Sequence, residues 1–140
     1  MSIKRFFSEK DNTITNAFKP DLTTRGTLAN MGESDVMEVY SVYGQSTTSS
    51  VEKSRIIIKF PVDKIVAHRD AGTIPTQGKT QFVIRLHNAE HGDTIPSDYT
   101  LALSPLLQAW EEGHGLDMET FGDTGHSNWL SSSDGVTWLD

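Results

Sequence analysis

Apolar and polar residues alternate along this chain in short stretches, separated by clusters of Gly, Pro, Ser, Thr, Asn and Asp. The clearest alternation spans residues 54–60. Ile56, Ile58 and Phe60 project to one face, and Arg55, Ile57 and Lys59 to the other. Three consecutive β-branched isoleucines stiffen this stretch toward extended geometry. Residues 80–87 repeat the pattern, with Phe82, Ile84 and Leu86 on one face and Gln81, Val83, Arg85 and His87 on the other. Tyr99, Leu101 and Leu103 are again in phase. Residues 35–43 are apolar on both sides, Val36, Tyr40 and Val42 against Met37, Val39 and Tyr43, as expected of a central strand covered on both faces. Near the end, Ser133-Asp134-Gly135 between Trp129-Leu130 and Val136-Thr137-Trp138 is a hairpin signal, because Asp-Gly readily supplies positive φ angles.

Helical signals are few. Residues 61–68 suit a turn or two, with Pro61 at the tolerated first position and Val62, Ile65 and Val66 on one side. Residues 104–110 suit another, with Ser104 capping before Pro105 and with Leu106, Leu107 and Trp110 inward. The expectation is an all-β domain: an antiparallel β-sandwich over residues 11–140, preceded by an N-terminal arm at 1–10, with at most one or two short helical turns.

Composition narrows the class. The 140 residues include no cysteine, which excludes disulfides, thiolate metal sites and a cysteine nucleophile. No stretch approaches the roughly 18 consecutive apolar residues of a membrane-spanning helix, and the first residues lack the apolar run of a secretory signal. The formal charge of −7 is unevenly spread. Residues 1–70 hold 10 Lys/Arg and 9 Asp/Glu; residues 71–140 hold 10 Asp/Glu and only Lys79 and Arg85. So acidic a surface repels phosphate backbones, so no direct nucleic-acid contact is expected from this half.

The motifs that carry chemistry point away from catalysis. Glu111 and Glu112, adjacent on an extended chain, face opposite ways; Asp117 and Glu119 share a face and read as a solvated strand. No nucleophile elbow, zinc-protease helix or phosphate loop occurs, so no enzymatic activity is expected. For a cation, Glu111, Glu112, Asp117 and Asp123 form an oxygen-rich group of the kind that suits Ca²⁺; solvated loops are the alternative. Four histidines, His87, His91, His114 and His126, lie in the acidic half, but the His87–His91 spacing falls in a loop and carries little weight for zinc. Trp110 and Trp138 fall in phase with apolar neighbours and read as core, whereas Trp129, among Gly and Ser, reads as the exposed ring. Ile3, Phe6 and Phe7, flanking Lys4 and Arg5, form an apolar-basic arm suited to docking on a neighbouring subunit.

In order, these motifs resemble a known family. Asp11-Asn12-Thr13-Ile14-Thr15-Asn16-Ala17-Phe18 is similar to the opening strand of DNRLRE-type domains, jelly-roll modules classed near carbohydrate-binding β-sandwiches. Leu28-Ala29-Asn30-Met31-Gly32, Ser54-Arg55-Ile56-Ile57-Ile58-Lys59-Phe60, the strand at 82–86, Trp110-Glu111-Glu112-Gly113, Trp129 and Val136-Thr137-Trp138 resemble the steps that follow in that family. The family usually continues beyond the last Thr-Trp through a Gly-Gly-Asp step into further strands. This chain stops at Asp140, so either it is part of a longer protein or another chain completes its sandwich.

Such domains accompany secreted glycan-active enzymes, and also occur in shorter form as bacteriophage virion proteins. The resemblance, with no signal segment, no catalytic module and no cysteine, implies the second kind. That kind is a virion protein decorating a capsid or serving as a head or tail accessory, meeting other virion proteins and copies of itself, with no membrane and no required cofactor. Ile3, Phe6, Phe7 and Trp129 are then the candidate contact residues. The alternative is a carbohydrate-binding module or a receptor-recognition appendage, with Trp129 as its stacking ring.

Overall fold

The computed structural model describes residues 3–75, 78–92, 97–122 and 125–139, and of 120–122 the backbone alone. Its regular structure is antiparallel strand, with one short helix among the described residues. The chain divides into two compact units, one of Met1–Phe60 with Leu107–Asp140 and one of Pro61–Leu106.

In the first unit, strands β1 (Lys10–Thr15), β3 (Ser41–Tyr43) and β4 (Val51–Lys59) make a three-stranded sheet in the order β1-β4-β3; β2 is the two-residue strand Ala29–Asn30. The isoleucine-rich segment is therefore the central strand. It pairs along its length with β1, Thr13 opposite Ile56 and Thr15 opposite Ser54, and at its start with β3, Ser41 opposite Lys53. Ile56, Ile57 and Ile58 are all half-buried, and β1 buries both faces from Asn12 to Thr15. Strand β2 pairs across a bulge with β5 (Asp117–Gly122). Strands β6 (Ser131–Ser133) and β7 (Val136–Thr137) form the hairpin that Asp134-Gly135 signals. Only Gly135 takes a positive φ there, at 66°.

Residues 36–40 differ from the central strand expected of them. They lie outside the ladder, and Val36, Met37 and Val39 are exposed. Side-chain hydroxyls occupy the backbone groups a ladder needs. Thr13 Oγ1 accepts the Glu38 N–H at 3.0 Å, Ser54 Oγ accepts the Tyr40 N–H at 2.8 Å, and the Ser54 hydroxyl donates to the Glu38 carbonyl at 2.9 Å. Hydroxyls on the neighbouring strands thus substitute for main-chain partners and end regular pairing at Ser41.

The second unit holds the helix α1 (Val62–Asp70), close to the turns expected at 61–68, with Pro61 as its N-cap and two further residues at its end. Asp63 in its first turn and His68 and Arg69 in its last complement the helix dipole. Its side chains are not buried, and Val62 and Val66 are exposed. Residues 80–87 and 99–103 form no strand, and 104–110 no helix. Alternation specifies only half of a β ladder, and no strand pairs with these segments. At 104–110, Leu106 and Leu107 face outward while Trp110 alone is buried. The segment ends pinned by Gln108, whose Nε2 donates to Ser132 Oγ at 2.8 Å and to the Thr137 carbonyl at 2.9 Å. No helix among the described residues is long and apolar enough to cross a membrane.

Candidate functional site

The first unit is tied together by polar side chains where an oily core is usual. Asn12, Asn30, Ser127, Asn128 and Ser132 are at most 1% exposed, against only a handful of buried apolar residues, among them Ile14, Met31 and Trp110. Burying so many amide groups is tolerable only if each finds its partners, and here they do. Asn12, on β1, donates from Nδ2 to the Ser127 carbonyl at 3.1 Å and its hydroxyl at 2.8 Å, and accepts the Met31 N–H at 2.9 Å. Asn30, on β2, donates to the Glu112 and Ser127 carbonyls at 2.6 and 2.8 Å. Its Oδ1 accepts the N–H groups of Gly32 and Gly115 at 3.1 and 2.9 Å. Asn30 therefore has every amide donor and acceptor filled.

The chain at 113–115 comes so close to Asn30 that no side chain fits there. A Cβ on Gly113 would overlap the Asn30 carboxamide, and one on Gly115 the Asn30 carbonyl. Gly113 also has φ of 87°, a conformation L side chains rarely adopt. Asn128 continues the clamp, accepting the N–H groups of Leu130 and Ser131 and receiving the Trp138 indole N–H at 2.7 Å on its carbonyl. The result joins the first two strands to residues 112–138 by direct hydrogen bonds.

The sequence candidates fall around this clamp. Trp110 is buried under Lys10, whose ammonium lies 4.4 Å from the ring centroid and donates to the Trp110 carbonyl. Trp138 is half-buried. Trp129 is half-buried too, with the Arg55 guanidinium stacked 4.5 Å from its ring centroid. In the N-terminal arm, Ile3 and Phe7 are 83% and 81% exposed and Phe6 is half-buried. The arm meets the sheet at Glu9, whose N–H donates to the Lys59 carbonyl at 2.8 Å.

The carboxylates of the expected Ca²⁺ group are engaged separately. Glu112 Oε1 accepts the Asp11 N–H at 2.7 Å, Asp117 Oδ1 accepts the Glu119 N–H at 2.8 Å, and Glu111 is exposed. Asp123 lies outside the described residues. Among the described residues, no three carboxylate or imidazole groups converge as a cation site. His114 instead meets Glu33, at 2.8 Å, and packs edge-on to His126 with ring centroids 5.3 Å apart.

One buried carboxylate was not singled out from sequence. Glu52, on β4, is fully buried; its Oε2 accepts the Phe18 N–H at 2.9 Å, while Oε1 has no hydrogen-bond partner among the described residues. Near it, burial pushes the Tyr40 phenol above its ordinary pKa, reinforced by the charges of Glu38 and Glu52 and opposed by the 2.6 Å hydrogen bond to Thr15. A shallow cavity of about 340 Å³ opens beside Met31, Ser34, Glu38 and residues 116–119. Its lining mixes methionine with carboxylates.

The second unit exposes many large apolar side chains. Phe82, Ile84, Leu86, Tyr99, Leu101 and Leu103 are between 45% and 80% exposed, and Val83 is 71% exposed. They sit on backbone that makes no ladder. Soluble monomers seldom leave so many apolar side chains in the open; where they do, the surface ordinarily meets another molecule. No protein-family model, curated protein or solved structure matches the chain.

Proposed function

We propose that this chain is a non-enzymatic structural protein of a bacteriophage virion. In this reading it is a DNRLRE-like jelly-roll sandwich that decorates a capsid or serves as a head or tail accessory through protein–protein assembly. The observation that carries the proposal is the pair of apolar segments at 80–87 and 99–103, whose large apolar side chains are exposed and whose backbone joins no ladder among the described residues. A surface of that kind becomes stable by being covered. The acidic C-terminal half supports protein rather than nucleic-acid partners. Ile3 and Phe7, fully displayed ahead of β1, suit the docking arm of such an assembly.

The carbohydrate-binding alternative needs an open aromatic ring, because a sugar stacks flat on it. Arg55 already occupies a face of Trp129, which favours assembly over glycan recognition. Light scattering on the purified chain, paired with NMR titration of glycans against the indole signals, separates the two. Assembly predicts a stable oligomer that weakens on deletion of residues 2–10, and indoles that do not move at sub-millimolar glycan. A monomer whose Trp129 indole shifts with sugar overturns the proposal.

A further inference from the structure

We infer that a second copy of this chain covers the apolar segments, each copy pairing its residues 80–87 with residues 98–104 of the other in an antiparallel exchange. The inference rests on the assembly reading and specifies its partner. The two segments are complementary in one register. Setting Ile84 opposite Leu101 places Phe82 opposite Leu103 and Leu86 opposite Tyr99, so every pair on that face is apolar. The same register sets the His87 imidazole opposite the Asp98 carboxylate, and Val83 opposite Ala102 on the other face. Charge agrees as well. Lys79 and Arg85, the only Lys or Arg residues from 71 to 140, both lie on or beside the first segment, while the second carries Asp98 and no basic residue. In this register Arg85 faces Thr100 and lies diagonal to Asp98, and no two like charges face each other.

Two features favour a partner copy over a hairpin closed within one chain. First, both segments expose their apolar side chains, yet they form no ladder with each other. Second, an isolated two-stranded hairpin is marginal in water unless its apolar face packs on something. The Pro61–Leu106 unit offers little for that purpose: its buried apolar residues among those described are Pro61 and Ile74, and α1 buries none. An exchange between two copies instead creates two ladders whose apolar faces, three residues from each strand, cover one another. The intervening chain from 88 to 97 is long enough to reach a neighbour.

The chain has no cysteine, so engineered thiols report the pairing directly. Full-length Val83→Cys and Ala102→Cys chains, co-expressed with different tags and mildly oxidised, are expected to yield a disulfide-linked heterodimer, with neither single variant cross-linking to itself. Gln81→Cys with Ser104→Cys repeats the test in the same register, so misfolding of one pair does not decide it. The double variant Val83→Cys/Ala102→Cys reports the competing geometry. If it closes within one chain while the co-expressed singles stay unlinked, the segments form an intrachain hairpin and the exchange is wrong. If light scattering finds an oligomer but neither arrangement cross-links, this interface is wrong and the assembly reading stands. If it finds a monomer at all concentrations, both fall.

Discussion

The two units of this chain follow opposite strategies. The unit of Met1–Phe60 with Leu107–Asp140 buries polar groups and satisfies them, with Asn12, Asn30 and Asn128 each holding several backbone groups from distant parts of the sequence. The unit of Pro61–Leu106 leaves apolar groups in the open, and beyond α1 its described residues join no ladder. The first is specified by its own hydrogen bonds. The second has a pattern that asks for a partner. A hydrophobic alternation is thus a statement about pairing capacity, and in the assembly reading proposed above the unmet alternation marks the interaction surface.

The largest effect that distinguishes the units is expected at Asn30. Asn30→Ala removes partners from two carbonyls and two N–H groups, all in the buried clamp, and at about 1–3 kcal/mol per orphaned group should cost at least about 3 kcal/mol in urea unfolding. Asn30→Asp keeps the shape but turns two donors into an acceptor facing carbonyls, and should be no better tolerated. Gly113→Ala comes next. It combines a strained φ with overlap on Asn30, so a loss of about 2 kcal/mol or more is expected, read as a lower thermal midpoint.

Lys10→Met should cost about 1 kcal/mol, since it removes the ammonium from the Trp110 ring and carbonyl while keeping the side-chain volume. Leu101→Ser in the second unit should leave the unfolding of the isolated chain within about 0.5 kcal/mol, because the side chain is half-exposed there, and yet weaken self-association. An unfolding loss as large as that of Lys10→Met would blur the contrast between the units.

The smallest effect is electrostatic. The backbone N–H groups of Thr24 and Thr23, bonded to Asp21, lower its carboxyl from an ordinary 3.8 to about 2. A folded value below the unfolded one means that the contribution is complete above 3.8 and is lost as pH falls through about 2. The Thr23 and Thr24 amide resonances should therefore titrate with a midpoint near 2; a midpoint near 4 would remove Asp21 from the turn.

What was legible in the sequence was what local chemistry decides. The three isoleucines of β4, the Asp-Gly turn of the last hairpin and Pro61 before α1 each act through their own backbone preferences, and each appears where it was read. The buried state of Trp110 was legible too, from its phase with apolar neighbours, although the helix that phase implied is absent. Residues 36–40 were misread because Thr13 and Ser54, distant in sequence, take their backbone groups. The clamp was illegible for a related reason. Nothing in the sequence around Asn30 distinguishes a surface asparagine from one whose amide is buried against residues 80 or more positions away. Glu52 shows the same limit, as a lone acidic residue in a strand that turns out to be fully buried.

Amide hydrogen exchange, followed residue by residue across a dilution series, tests the contrast most directly. Asn12 to Thr15 and Ser131 to Ser133 should keep their protection unchanged at every concentration, because their partners are in the same chain. Amides of 82–86 and 99–103 should be protected when the protein is concentrated and exchange freely once it is diluted below the dissociation constant of the dimer. Protection of those segments that persists at every dilution would contradict the account, since it would mean that each chain completes the pairing alone.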